Sequence, residues 1–503
     1  MPERPARLTK PTLDKDLDKL THVEDTIRYV TRPLVAPGIA LIFLGLAMLF
    51  TGFYVLDRPR VTLTVAASAL AGYMALNIGA KDVANNVGAA VGARAITIPS
   101  ALIMAAIFEI LGATLAGGPV IRTVSSHIVD TNEAANTGNL AWLMMAALLS
   151  AAVWINLATW LKAPVSTTHA IVGAVVGAGI ASSGLSLVNW PLMLLISSAW
   201  VVTPIFGGTL AALFLFFIKT FIIYREDKID AGRYWIPILI GVMAGIFATY
   251  LLIRTTTAGT LSFPAEAASS VVVGLIGWLI ARPLVIRQSA GLDNKNSALR
   301  KLFRLPLVGS AALLSFAHGA NDVANAIGPL AAIVRAGCSR FVSPPNGPAP
   351  LWVVMIGACG ISVGLLLYGP RLIRLVGQQI TKLNPMRAYC VALSAASTVI
   401  VASSFGLPVS STHVAVGSVF GVGFFREWYT THSKRRARYM RHKAHPQDPE
   451  DDEPEERNVD EIRRRRLVRR SHFMTIAVAW VVTVPVSAAL AAVVYWVMVA
   501  LFV

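Results

Sequence analysis

The sequence predicts an all-α polytopic membrane protein made of two inverted-topology repeats, with broken helices and re-entrant half-helices. Three observations predict it. First, 55% of the 503 residues are hydrophobic and only 14% charged, against about 25% charged in soluble domains. Second, apolar runs of roughly 20 residues, the length that crosses a bilayer, recur from Leu34 to the end of the chain. Third, two motifs each occur twice. GAKDVANNVG (Gly79 to Gly88) and GANDVANAIG (Gly319 to Gly328) match at seven of ten positions, 240 residues apart. PVSTTHAIVGAVVGAG (Pro164 to Gly179) and PVSSTHVAVGSVFGVG (Pro408 to Gly423) match at ten of sixteen, 244 apart. A nearly constant offset between unrelated motifs means that a whole unit was duplicated.

Residues 1–33 are polar, with no apolar core followed by a small-residue cleavage site, so a cytoplasmic N-terminal segment without a removable signal is expected. Residues 34–60 form an extra N-terminal span that serves as its own insertion signal. Residues 61–220 are expected to form the first repeat. Residues 221–304 connect the halves with about two spans and basic cytoplasmic segments, and 305–503 are the second repeat. Spans are expected near Leu34 to Leu56, Leu140 to Trp160, Trp190 to Ile218, Tyr234 to Ile253, Leu351 to Tyr368 and Met474 to Val503, with about 11 to 13 spans or half-spans in all. WVVT at Trp200 and Trp480 is a third repeated anchor, 280 apart. The added 36 residues fall in a charged loop, 426–470, that carries SKRRARYMRHK, DPEDDEPEE and RRRRLVRR without apolar periodicity. It reads as a solvated segment that fixes topology.

The net charge of +17 does not point to nucleic acid, because the basic residues gather between apolar runs, as the positive-inside rule requires. The same rule orients the halves. The counterpart of the basic loop in the first half, Ala181 to Trp190, carries no charge, so one loop is cytoplasmic and the other external. The N-terminus is then cytoplasmic and Val503 external, in a plasma membrane, here read as a bacterial inner membrane. The three cysteines, Cys338, Cys359 and Cys390, lack metal-ligand spacing and read as packing residues.

An aspartate in mid-membrane costs a few kcal/mol and faces a cavity or a partner rather than lipid. Asp82 and Asp322 are therefore candidate cation ligands, with sodium the one metal ion expected there and with Asn85, Asn325 and Asn321 adding neutral oxygens. Glycines at both ends of each stretch suggest that the helices unwind there. The Pro-Val-Ser stretches look like helix N-termini, where free N–H groups and the positive end of the dipole bind anions. Ser166, Thr167, Thr168, Ser410, Ser411 and Thr412 are the candidate contacts to a tetrahedral oxyanion.

These paired stretches, together with GGPVIRTVSSHIV (Gly117 to Val129), resemble the inorganic phosphate transporter family of sodium- or proton-coupled phosphate symporters, over about Thr64 to Gly208 and Leu305 to Thr483. The resemblance implies an inverted-repeat fold, commonly dimeric. It implies coupling cations at Asp82 and Asp322, supported by Asn85 and Asn325, and phosphate on the six hydroxyl residues, with no other cofactor. One position departs from the family pattern: Lys81 stands where the second repeat has Asn321. A fixed cation there would replace a bound sodium or contact phosphate, and it favours proton coupling; the bland alternative is a lysine paired with Asp82. Glu109 in an apolar helix is a candidate proton relay, as are His169 and His413, while His318 lies beside the second motif. Arg122 and Arg374 read as headgroup anchors, with an anion-attracting vestibule as the alternative. The leading expectation is phosphate uptake by cation symport with alternating access. Sulfate or a metal-phosphate complex is the close alternative, and an intramembrane hydrolase using Ser166, His169 and aspartate the remote one.

Overall fold

The computed structural model describes residues 34–56, 60–136, 139–161, 163–255, 263–337, 347–379, 384–433 and 470–502. Within them the chain is a bundle of helices: α1 (Leu34–Val55), α2 (Val61–Gly92), α3 (Ile98–Ala116), α4 (Gly118–Arg122), α5 (Thr131–Asn136), α6 (Leu140–Trp160), α7 (Thr167–Ser183), α8 (Trp190–Ile218), α9 (Lys228–Thr255), α10 (Phe263–Ser289), α11 (Asn296–Leu302), α12 (Arg304–Gly337), α13 (Leu351–Gln379), α14 (Pro385–Ser404), α15 (Ser411–His432) and α16 (Arg470–Phe502). Among the described residues, 10 helices are long and apolar enough to cross a membrane, or up to 11 with the bent pair α11–α12 as one span, and α7 is a shorter apolar helix. The outward faces stay apolar: Leu194, Val201 and Val481 are exposed, as lipid contact requires.

Within the described residues the predicted spans lie in helices, except that Leu56 is already in a turn; Val503 lies outside the described residues. The charged loop begins later than expected, because α15 continues to His432 and α16 starts at Arg470; the rest of the 426–470 call, with residues 1–33 and Cys338, lies outside the described residues.

One expectation is corrected. The GAKDVAN and GANDVAN stretches do not interrupt their helices, since α2 and α12 are continuous through them. Their glycines permit close packing instead. A Cβ on Gly79 would lie 1.9 Å from the Ile361 carbonyl oxygen of α13, and one on Gly319 would lie 2.2 Å from that of Glu109 on α3. The true breaks are at the prolines. Residues 163–166 and 407–410 are non-helical, and the half-helices restart at Ser166 and Ser410, both extended and both N-caps whose Oγ accepts from the backbone N–H of His169 and His413. Each cap satisfies one of the amides that a helix start leaves open.

The halves interlock. α2 packs on α13 while α12 packs on α3, and α7 packs on α16 while α15 packs on α8. Each element of one half thus meets the corresponding partner from the other. The crossings are close: a Cβ on Gly177 of α7 would lie 2.1 Å from the Ala488 oxygen, and one on Gly417 of α15 would lie 2.3 Å from the Pro204 oxygen. Small residues let backbones approach in this way where lipid offers no hydrophobic driving force.

Candidate functional site

Both motifs converge at the centre of the bundle. Asp82 on α2 and Asp322 on α12 are fully buried, and each accepts hydrogen bonds from both half-helices. Thr167 Oγ1 donates to Asp82 Oδ2 (3.2 Å) and Thr412 Oγ1 to Asp82 Oδ1 (3.0 Å). In the matching half, Ser411 Oγ donates to Asp322 Oδ2 (2.8 Å) and Thr168 Oγ1 to Asp322 Oδ1 (3.1 Å). Asn85 joins Asp82 to Thr412, at 3.3 and 3.0 Å, and Asn325 joins Asp322 to Thr168, at 2.8 and 3.1 Å. Burying a carboxylate costs several kcal/mol, and charge-assisted bonds of about 1.5–3 kcal/mol each offset it.

The positions of Lys81 and Asn321 answer each other. Asn321 Nδ2 donates to the Val409 carbonyl oxygen (2.6 Å), in the linker before α15, while its Oδ1 accepts from Ser403 (3.3 Å) and from the Val409 amide (3.4 Å). Lys81 Nζ donates to the carbonyl oxygen of Val165, the residue matching Val409 in the linker before α7. Both side chains therefore hold a Pro-Val-Ser linker, but only one brings a charge. Asp82, Asp322, His169 and His413 all lie within the electrostatic reach of that ammonium.

Glu109, the lone carboxylate of α3, has partners. Its Oε1 accepts from Asn86 Nδ2 (2.8 Å) and lies 3.1 Å from His318 Nδ1. The other ring nitrogen of His318 is 3.3 Å from Asp322 Oδ2 and 3.9 Å from Asp82 Oδ2. His318 is thus hydrogen-bonded to Glu109 and stands within ion-pair distance of both aspartates, with no hydrogen bond from Nε2 among the described residues. The sequence signal for one side was the i,i+4 spacing of His318 and Asp322 on a helix; Glu109 stood out as a lone carboxylate, but nothing pointed to its pairing with His318, 209 residues away.

His169 and His413 take a different place. Their rings form the middle of a four-ring ladder, with centroid distances of 3.9 Å from Trp200 to His169, 4.5 Å between the histidines and 3.7 Å from His413 to Trp480. Trp200 Nε1 donates to the Pro408 carbonyl oxygen at 2.9 Å. The repeated WVVT anchor therefore stacks on the half-helix histidines. Ser166 Oγ is engaged by the backbone of His169 rather than its ring, so the hydrolase geometry of nucleophile on base is not formed. All six hydroxyl residues are buried, and the first two amides of each half-helix have no intrahelical acceptor. The site therefore combines two open helix starts with two carboxylates.

Comparison with known proteins agrees with the geometry. The model of the phosphate transporter family matches residues 78–491. A Helicobacter pylori protein named "Putative phosphate permease" is 38% identical, over 95% of this chain and 98% of its own. A Chlamydia trachomatis protein of the same name is 36% identical, over 70% and 88% respectively. A solved structure titled "The sodium-dependent phosphate transporter" superposes with a TM-score of 0.76 at 31% identity, over 88% of this chain and all of that one. This multi-pass membrane protein belongs to the phosphate transporter family, a family of transporters rather than enzymes.

Proposed function

We propose that this protein takes up inorganic phosphate by cation symport, with two inverted halves alternating access to the central site. The observation that carries the reading is that each aspartate accepts a hydroxyl from both half-helices. The hydroxyl protons of Thr167, Thr168, Ser411 and Thr412 are committed to the carboxylates. A cation on the carboxylate side takes up the oxygen lone pairs and turns these four protons toward an oxyanion at the helix starts, where Ser166 and Ser410 complete the phosphate contacts. The cation also offsets the anion's charge in a medium where charge separation is costly. Coupling then follows from shared ligands.

Asp82, Asp322, Asn85, Asn325 and Asn321 are the cation groups. Lys81 supplies the Asp82 half with a fixed positive charge, so a cation is needed less there, and this favours protons over sodium as the coupling ion. The Glu109–His318 pair supports the same reading by placing a third buried carboxylate beside the aspartates. The orientation is supported by the basic segments around 219–228 and 282–304, which meet on one face: Lys228 N–H donates to Asn294 Oδ1 (2.9 Å) and Asn294 Nδ2 to the Glu226 oxygen (2.6 Å). That face is read as cytoplasmic, with the working unit a homodimer in a bacterial inner membrane.

The test is labelled phosphate uptake into proteoliposomes with proton and sodium gradients imposed separately. Uptake under the proton gradient without sodium is expected. Uptake of sulfate but not phosphate would overturn the substrate.

A further inference from the structure

The Gly117 to Val129 stretch contributes nothing to the central site, yet it is irregular in an informative way. Residues Thr123–His127 form a π-helical turn, a form concentrated at functional sites. It lies on the face opposite the basic loops. Asn189 N–H donates to the Ile128 oxygen (3.0 Å) and Asp130 N–H to the Leu187 oxygen (2.9 Å), which ties it to the start of α8, whereas the end of α8 leads to Lys219–Lys228.

Cations gather here. Arg122 is exposed and Arg335, in the last turn of α12, is half-buried. Arg335 Nη1 donates to Ser125 Oγ (2.9 Å) and Nη2 to the Gly347 oxygen (2.8 Å), while its Nε has no partner among the described residues. Ser125 Oγ in turn donates to the Arg122 carbonyl oxygen (3.2 Å), as does Ser126 Oγ (2.9 Å). The charged neighbour acting on Arg335 is Arg122, a like charge. Partial burial, together with both arginines, holds His127 below its ordinary range, as expected beside two positive charges. The next acids along the chain, Asp130 and Glu133, are exposed and follow the Val129–Val188 bridge. The Arg335 guanidinium is thus one hydroxyl away from the backbone of Arg122, and an oxyanion seated beside Ser125 meets N–H donors from a side chain whose Nε is still unpartnered among the described residues, with the second positive charge of Arg122 nearby.

The cluster also adjoins the linker that leads into the central site. A Cβ on Gly406 would lie 3.2 Å from Thr123 Oγ1, beside Arg122. Gly406 has φ +69°, the left-handed region, and it opens the linker into Pro408, Val409 and Ser410.

We propose that Arg122 and Arg335, with the hydroxyls of Ser125 and Ser126, form a peripheral site that captures inorganic phosphate at the outer mouth and delivers it to the start of α15. The proposal rests on the phosphate reading for the ligand's identity. Its test is the concentration dependence of labelled phosphate uptake into proteoliposomes at two ionic strengths, set with an impermeant salt. Arg122→Gln and Arg335→Gln are each expected to raise KM about tenfold while Vmax stays within twofold, and the double variant to lose the salt dependence of KM seen in the wild type. Arg335→Lys should recover most of the affinity.

Unchanged KM and salt dependence in both variants would overturn the capture site. So would a fall in Vmax at constant KM, which marks Arg335 as a structural tie only. If Arg335→Gln fails to fold, exposed Arg122→Gln decides alone. If the wild type carries sulfate instead, the phosphate reading fails, and the same comparison made with sulfate still decides whether the mouth captures the substrate.

Discussion

Replacing Lys81 by asparagine removes one positive charge from the Asp82 half and makes it match the Asp322 half. The variant should fold, because Asn321 already performs the equivalent task on Val409. If the ammonium substitutes for a transported cation, Lys81→Asn must move one more elementary charge per phosphate. A charge crossing 100 mV changes the free energy by about 2.3 kcal/mol, and about 1.4 kcal/mol is a factor of ten. The phosphate ratio reached at equilibrium should therefore change about 50-fold more per 100 mV in the variant than in the wild type. Proteoliposomes clamped at a series of potassium diffusion potentials, with the internal and external labelled phosphate measured at steady state, give this slope directly. Lys81→Asn should also gain a requirement for sodium. Equal slopes in the two proteins, or a wild type that already requires sodium, would refute the argument and leave Lys81 as a linker tie.

Three further outcomes follow from the geometry. Glu109→Gln or His318→Gln should abolish net proton-driven uptake yet retain exchange of labelled for unlabelled phosphate, measured by counterflow; equal loss of both would remove the pair from proton movement. Thr412→Val and its counterpart Thr168→Val each delete one donor to a buried carboxylate, about 1.5–3 kcal/mol, so phosphate affinity should fall roughly 10- to 100-fold and by similar amounts in both, read as KM for uptake. Gly79→Ala and Gly319→Ala place a Cβ against backbone at 1.9 and 2.2 Å and should destabilise the protein by at least about 1–3 kcal/mol. Gly88→Ala, whose Cβ meets only Ala84 at 4.0 Å, should be neutral or stabilising by up to about 1 kcal/mol; thermal unfolding in detergent separates the two classes.

Much of the site was legible because its parts are short-range. Pro-Val-Ser followed by hydroxyl residues marks a helix start whatever surrounds it, and duplication marked Asp82 and Asp322 as a pair. What could not be read depends on distant partners. A glycine such as Gly79 permits either unwinding or a close crossing, and only the presence of α13 against α2 selects the second. The exchange of half-helices is equally invisible, since neither Gly177 nor Gly417 reveals which backbone it will meet. Lys81 announced an anomaly without its function, because the Val165 carbonyl it holds is 84 residues along the chain.

The exchanged packing has a consequence for how the protein is made. α7 rests on α16, the last described helix, some 300 residues later in synthesis. When the translocon releases the first half, this 17-residue helix has no surface to lie on, and its polar start has no Asp322 to receive Thr168. The first half must therefore wait, unfinished, in the membrane until α16 arrives. A ribosome that stops before Arg470 leaves α7 without the helix it packs on, so the first half is completed only by an element made hundreds of residues after it.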